Sequence, residues 1–163
     1  MAAGREGRPE SSDAFAELFE RYRPAVWGFF RRRVWDRGRA EDLVQETFVA
    51  LLKSAPRYEP RAPFRSFLFG IAFNLLAEER RKPRPVMSDA GLPGLVATEA
   101  NRDVVIHVRQ AIASLDQIDR DVLLLREFET LSYAEIAAML EIPLNTVRSR
   151  LFRARMAVRE KLQ

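Results

Sequence analysis

Apolar residues recur at helical steps along most of the chain, and no stretch shows the sustained alternation of a half-buried strand. Phe15, Leu18, Phe19, Tyr22, Val26, Phe29 and Phe30 predict a helix over 13–33, which Pro24 should kink or split in two. Ala40, Leu43, Val44, Thr47, Phe48, Leu51 and Leu52 make the buried face of a second helix from Arg39 to Lys53, with Asp42, Gln45, Glu46 and Val49 on the opposite face. Pro56, Pro60 and Pro63 then impose a stiff loop that cannot be helical throughout. A third helix follows. Phe64, Leu68, Ile71, Ala72 and Leu75 form its core stripe, and Arg80-Arg81-Lys82 sit near its C-terminus, where cations suit the helix dipole. Phe69 and Phe73 fall roughly opposite that stripe. They have two possible uses: stacking on unpaired bases, which contributes about 1–3 kcal/mol per base whatever the sequence, or burial beneath another helix of the same domain.

Residues 83–100 contain three of the nine prolines and two of the seven glycines without periodicity, which reads as a flexible linker. Beyond it, Val104, Val108, Ile112 and Leu115 mark one helix, and Val122, Leu125 and Phe128 another. Ser132 and Glu135 have capping-box spacing, so a further helix opens at Ser132. Glu141-Ile142-Pro143 closes it, because proline disfavours helical geometry in the residue before it. Asn145 is suited to cap a last helix, in which Val147, Leu151, Ala154, Val158 and Leu162 form one apolar stripe. The predicted fold is all-α: two small helical domains joined by a flexible linker, the C-terminal one containing a helix-turn-helix. The domain boundaries expected are 13–82 and 101–163, with residues 1–12 disordered.

The last helix also carries Arg148, Arg150, Arg153, Arg155, Arg159 and Lys161, with Glu160 the only acid after Glu141. A capped helix, a tight turn and a second helix whose basic residues begin in its first turns have the order of a DNA reader, against the alternative of a plain helical hairpin. Asn145, Thr146, Ser149 and Arg153 face outward as base or backbone readers. Arg148, Arg155 and Arg159 lie on the flanks, where phosphate contacts position without specifying.

Composition narrows the class. The 163 residues are 47% hydrophobic, enough for packed cores, and the net charge of +4 matters because so much of it sits at the C-terminus. There is no cysteine, which excludes disulfides and thiolate metal ligands and is compatible with a reducing cytosol. The polar N-terminus and the lack of any run of about eighteen apolar residues lead us to expect a soluble, cytoplasmic protein. His107, the only histidine, lies among Val104, Val105, Ile106 and Val108 as a helix residue. No glycine-rich phosphate loop or His-Glu-x-x-His pattern appears, so neither catalytic residues, metal nor cofactor are expected.

Three ordered motifs carry a resemblance: Glu41-Asp42-Leu43-Val44-Gln45-Glu46-Thr47-Phe48; Phe64-Arg65-Ser66-Phe67-Leu68-Phe69-Gly70-Ile71-Ala72-Phe73-Asn74 with Glu78-Glu79-Arg80-Arg81-Lys82; and the helix-turn-helix from Tyr133 to Phe152. From about Ala14 to Leu162 the chain resembles an extracytoplasmic-function (ECF) sigma factor of bacterial RNA polymerase. The resemblance implies that Asp42, Gln45 and Glu46, with Glu41 nearby, bind the clamp helices of the polymerase largest subunit. It implies that Phe64, Phe67, Phe73, Asn74, Arg80 and Arg81 capture and open the minus-ten element. The helix-turn-helix would read the minus-thirty-five element through Asn145, Thr146, Arg148, Ser149, Arg150, Arg153 and Arg155. Core RNA polymerase, promoter DNA in duplex and melted form, and an anti-sigma factor are the implied partners. The chain departs from the family pattern at Phe67, where tryptophan is frequent, at Glu78, where aspartate is, at Asp116, near a common leucine-proline pair, and at Asn145, which replaces a frequent glycine. Three rivals compete with this reading: a stand-alone helix-turn-helix regulator, an enzyme with a DNA-binding tail, and an N-terminal bundle that only binds proteins.

Overall fold

The computed structural model describes the backbone of residues 8–58, 63–83 and 98–163, with side chains from Ser12 onward. Seven α-helices and two short 3-10 turns, Ala55–Arg57 and Glu99–Asn101, make up the regular structure of the described residues, with no strand among them. The helices are α1 (Arg8–Arg31), α2 (Arg37–Ser54), α3 (Phe64–Arg81), α4 (Arg102–Ala113), α5 (Gln117–Glu127), α6 (Tyr133–Leu140) and α7 (Leu144–Leu162). None of the described helices is long and apolar enough to cross a membrane. The expected linker lies outside the described residues over 84–97, as does Pro60 of the expected stiff loop.

Helix α1 runs through Pro24 as one long helix, so the split does not occur, and it reaches back to Arg8, inside the stretch expected to be disordered. Pro24 is exposed. The Glu20 carbonyl that loses its helical donor there can turn to water, so the helix continues. Asp36 caps α2, its carboxylate accepting from the Arg39 backbone N–H at 2.7 Å. The α2 stripe packs inward as expected, except that Leu52 is 51% exposed. Thr47 is buried without penalty because its hydroxyl donates to the Leu43 carbonyl at 2.7 Å.

The stripe of α3 is rotated from its predicted position. Leu68, Phe69, Ala72 and Leu76 are fully buried, whereas Phe64, Ile71 and Leu75 are only partly so. Phe69 is therefore core, with its ring 5.7 Å from that of Phe29 and the Arg65 guanidinium 4.9 Å away. The reason is tertiary. α3 packs chiefly on α2, with further contacts to α1 and α6, and Phe69 lies on the same arc of the helix as Leu68, Ala72 and Leu76.

In the C-terminal half, α7 is held by α4, α5 and α6 together. Arg120 closes the C-terminus of α4 by donating to the carbonyls of Ile112 (3.3 Å), Ala113 (2.6 Å) and Leu115 (3.0 Å), the first of which also accepts from the Leu115 N–H at 3.1 Å. Val104 and Phe128, which mark helical periodicity in the sequence, are 63% and 37% exposed. The capping box of α6 forms as expected: the Glu135 N–H donates to Ser132 Oγ at 3.1 Å, and Glu135 Oε2 accepts from the Ser132 N–H at 2.7 Å. The helix ends at Glu141, within the predicted Glu141-Ile142-Pro143 stop. Glu141 turns left-handed at φ 55°, and the Ile142 N–H reaches back to the Ala137 carbonyl at 3.1 Å. Pro143, not Asn145, precedes the first residue of α7, and its carbonyl accepts from the N–H groups of Thr146 and Val147. Asn145 thus lies inside the helix, because Leu144 already has helical geometry.

Candidate nucleic-acid and polymerase interfaces

Helix α2 presents one polar face. Asp42, Gln45 and Glu46 are exposed at helical spacing and, with Val49, Ala50, Lys53 and Leu75, line a groove of about 450 Å³. Val49 contributes an exposed apolar side chain among these acids, which gives a protein partner both charge and apolar area. Glu41 is exposed outside this groove, 3.8 Å from Arg37. Glu46 accepts from Arg39 Nη1 at 2.9 Å, and the same guanidinium donates through Nε and Nη2 to Glu79 at 3.0 and 2.8 Å. Those hydrogen bonds, Glu79's first, raise the Arg39 pKa; the one from Arg39 lowers that of Glu79. One side chain therefore ties the acidic face of α2 to the end of α3.

The structure divides the minus-ten candidates into three groups. Phe64 and Phe67, both half-buried, join an aromatic cluster in which Tyr58 lies 6.0 and 5.0 Å from their rings and Tyr22 lies 5.1 Å from Phe64. Asn74 and Arg81, seven residues apart on α3, are exposed on one face. Phe73 is half-buried beneath the Arg80 guanidinium, 5.9 Å from its ring. Arg80 itself makes a two-pronged ion pair with Asp121 of α5, at 2.9 Å for each bond. Tyr58 was not anticipated. Its signal was an aromatic residue beside Pro56 and Pro60, immediately ahead of an aromatic-rich helix.

On α7, Asn145, Arg148, Ser149 and Arg153 face solvent, and Thr146 is partly covered. The Ser149 hydroxyl donates to the Thr146 carbonyl at 3.1 Å, which fixes it within the helix surface. Arg150 behaves differently from the expected DNA contact. Its guanidinium donates to Asp119 at 2.8 Å, with side chains only 25% and 13% exposed, and so joins α7 to α5. Arg153 stands 3.8 Å from the same carboxylate but remains 62% exposed. Arg155 is exposed and paired with Glu127 at 2.6 Å, a hydrogen bond that raises its pKa. Phe152, 67% exposed and one turn from Arg148 and Ser149, was missed by the sequence reading. Its place outside the apolar stripe was the available sign. A second groove of about 500 Å³, lined by Val108, Ile112, Leu123, Phe128, Val158 and Leu162 among others, was also unforeseen. Leu162 continues the α7 stripe past the last turn that its neighbours cover, which leaves it 47% exposed.

Comparison with known proteins assigns these surfaces to a family. Residues 18–85 match Sigma-70 region 2, and residues 107–158 match Sigma-70, region 4. The chain is 33% identical to the RNA polymerase sigma-H factor of Pseudomonas aeruginosa, over 92% of this chain and 86% of that protein. It is also 33% identical to the ECF RNA polymerase sigma-E factor of Escherichia coli, over 92% of this chain and 87% of that one. The solved structure of CnrH in complex with the cytosolic domain of CnrY shares its fold with a TM-score of 0.70 at 27% identity, covering 93% of this chain and 88% of that chain. With a region 2 helical bundle, a region 4 helix-turn-helix and full-length relatives in agreement, this chain belongs to the ECF sigma factors of the sigma-70 family, which direct RNA polymerase to promoters.

Proposed function

We propose that the Asp42–Gln45–Glu46 face of α2 docks this chain on the clamp helices of core RNA polymerase, that α3 with its preceding loop takes the minus-ten strand, and that α7 reads the minus-thirty-five duplex. The division of surfaces supports this reading. The acidic face lies on α2, the exposed Asn74 and Arg81 on α3, and the exposed Arg148, Ser149 and Arg153 on α7. A stand-alone regulator has no use for the acidic groove. In this role the chain recruits and positions polymerase in the cytoplasm and leaves the chemistry of RNA synthesis to it. Phe67 and Phe73 would stack on unpaired bases, and Arg81 would neutralise phosphate. The solved relative CnrH is bound by the cytosolic domain of another protein. We extend that arrangement to an anti-sigma partner here, for which the groove between α4, α5 and α7 offers apolar area.

The test is reconstitution with core polymerase on a promoter library, with the transcripts sequenced. Promoter-specific starts are expected, and their absence would reject the reading. Asp42→Lys with Glu46→Lys should abolish assembly with core polymerase while leaving α-helical content and duplex binding unchanged. Equal loss of both binding activities would show that α2 is not the dedicated polymerase face.

A further inference from the structure

Helix α7 carries three bands along its length. Val147, Leu151 and Ala154 are buried against the rest of the C-terminal half. Opposite them, at steps of three and four, Asn145, Ser149, Phe152 and Met156 are all exposed. Between these bands stand the cations, with Arg148 and Arg159 along one edge of the outer stripe and Arg153 along the other, all exposed. A neutral stripe edged by arginines has the form of a major-groove reader: its flanks meet the two phosphate backbones while its centre meets base edges.

The side chains of the stripe differ in what they can offer a base. The Ser149 hydroxyl commits its proton to the Thr146 carbonyl at 3.1 Å, so it turns only acceptor lone pairs outward. Phe152 and Met156 have no N–H or O–H to give. Asn145 is the exception. As a helix cap it would hold its carboxamide oxygen against a backbone N–H of the first turn. Pro143 occupies the cap position instead, and its carbonyl accepts from the Thr146 and Val147 N–H groups at 3.0 and 3.2 Å. The Asn145 side chain therefore makes no hydrogen bond to any of the described residues and stands exposed in the first turn of α7. In a recognition helix that turn is the part that meets base edges.

One carboxamide holds a donor, Nδ2, and an acceptor, Oδ1, side by side. Adenine is the base whose major-groove edge carries the matching pair, N7 as acceptor and the N6 amino group as donor. Guanine shows two acceptors there, thymine an acceptor and a methyl group, and cytosine a donor. We propose that Asn145 is a specificity-determining residue, its carboxamide reading one adenine of the upstream promoter element through paired hydrogen bonds to N6 and N7. Where the family pattern frequently has glycine, this chain thus carries a base contact of its own. The inference rests on the assignment of α7 to the minus-thirty-five duplex and adds which base one side chain selects.

The test uses holoenzyme reconstituted from the full-length chain and core polymerase, on promoters randomised across the minus-thirty-five element, with starts counted by sequencing. The parent should favour adenine at one position by about 5- to 150-fold, the discrimination of one bidentate side chain–base contact. Asn145→Ala should flatten that position and keep the preferences at the others, which also reports that the variant is folded. Asn145→Asp should turn the same position toward cytosine, because a carboxylate only accepts and cytosine presents only its N4 donor. A negative charge in the first turn suits the helix dipole, so this variant keeps its fold. Placing 7-deazaadenine at the mapped position removes N7 alone. It should weaken parent binding by about 2- to 10-fold, the loss of one hydrogen bond, and leave Asn145→Ala unaffected. Three results would overturn the proposal: every positional preference intact in Asn145→Ala, equal weakening on all sequences, as a phosphate contact gives, or a flattened position that had favoured another base. In each of these the remaining sequence dependence leaves α7 as the minus-thirty-five reader. Initiation indifferent to the whole element would reject that assignment and the inference with it.

Discussion

Replacing Arg150 by alanine distinguishes a structural arginine from a DNA-reading one on the same helix. Asp119 keeps only 13% of its side chain exposed, and Arg150 supplies its close partner at 2.8 Å; Arg153, at 3.8 Å and 62% exposed, is a poor substitute. Breaking a fully buried pair costs about 3–5 kcal/mol, and an exposed one about 0–1 kcal/mol. With Arg150 25% exposed, Arg150→Ala should cost about 2 kcal/mol. For a chain of this length that lowers the thermal midpoint by about 4–8 °C. Arg148→Ala, which removes an exposed side chain, should stay within about 0.5 kcal/mol of the parent. Binding to a promoter duplex, followed by anisotropy across a salt series, should reverse the ranking. Arg148→Ala should reduce the slope of log affinity against log salt by about 0.9, the value for one phosphate contact, and Arg150→Ala should leave it unchanged. An Arg150→Ala protein that melts with the parent and loses the salt slope would refute the argument and return Arg150 to the DNA interface.

Three further outcomes follow from the packing and the charges. Phe69→Ala should destabilise by about 3–5 kcal/mol in denaturant titration, whereas Phe73→Ala, at a half-buried position, should cost about 1 kcal/mol and weaken minus-ten single-strand binding by about 1–3 kcal/mol; similar stability losses in both would contradict their different burial. Glu141→Gly should raise the thermal midpoint, because relief of the left-handed backbone is worth about 1–2 kcal/mol and glycine returns about 0.5–1 kcal/mol of it as entropy; a lower midpoint would show that the Glu141 side chain matters more. The folded-state pKa of Glu79 is held below its ordinary value near 4.5 by Arg39, so its stabilisation is complete above that pH and fades as pH falls through the lower folded value. Acid titration of Glu79→Gln should therefore show a shallower loss of stability below about pH 4.5 than the parent shows, and parallel curves would remove Glu79 from the acid response.

Local signals in the sequence transferred to the structure, and non-local ones did not. The Ser132–Glu135 capping box and the Asp42–Gln45–Glu46 face depend on residues within one or two turns, so spacing alone located them. The start of α7 was misplaced because Leu144 already has helical geometry ahead of Asn145. For Phe69 the sequence left burial beneath another helix open beside base stacking, and burial holds because packing on α1 rotates the core stripe of α3 toward Leu68, Phe69, Ala72 and Leu76. Arg150 and Arg155 were read as free cations because their partners, Asp119 and Glu127, lie 31 and 28 residues upstream on another helix. The contact between the two halves was illegible for the same reason: Glu129 meets Arg32 across 97 positions of chain.

Arg39 divides its guanidinium between Glu46 and Glu79, and this makes position 39 unforgiving of an exchange usually regarded as mild. Lysine would keep the charge, but its single nitrogen is a compact donor without the planar fork that reaches two carboxylates on different helices. Arg39→Lys would hold either α2's outer face or α3's end, and the other acid would be left to find water. Where the lysine keeps Glu46, the two helices settle their relative tilt without the ion pair that crosses between them.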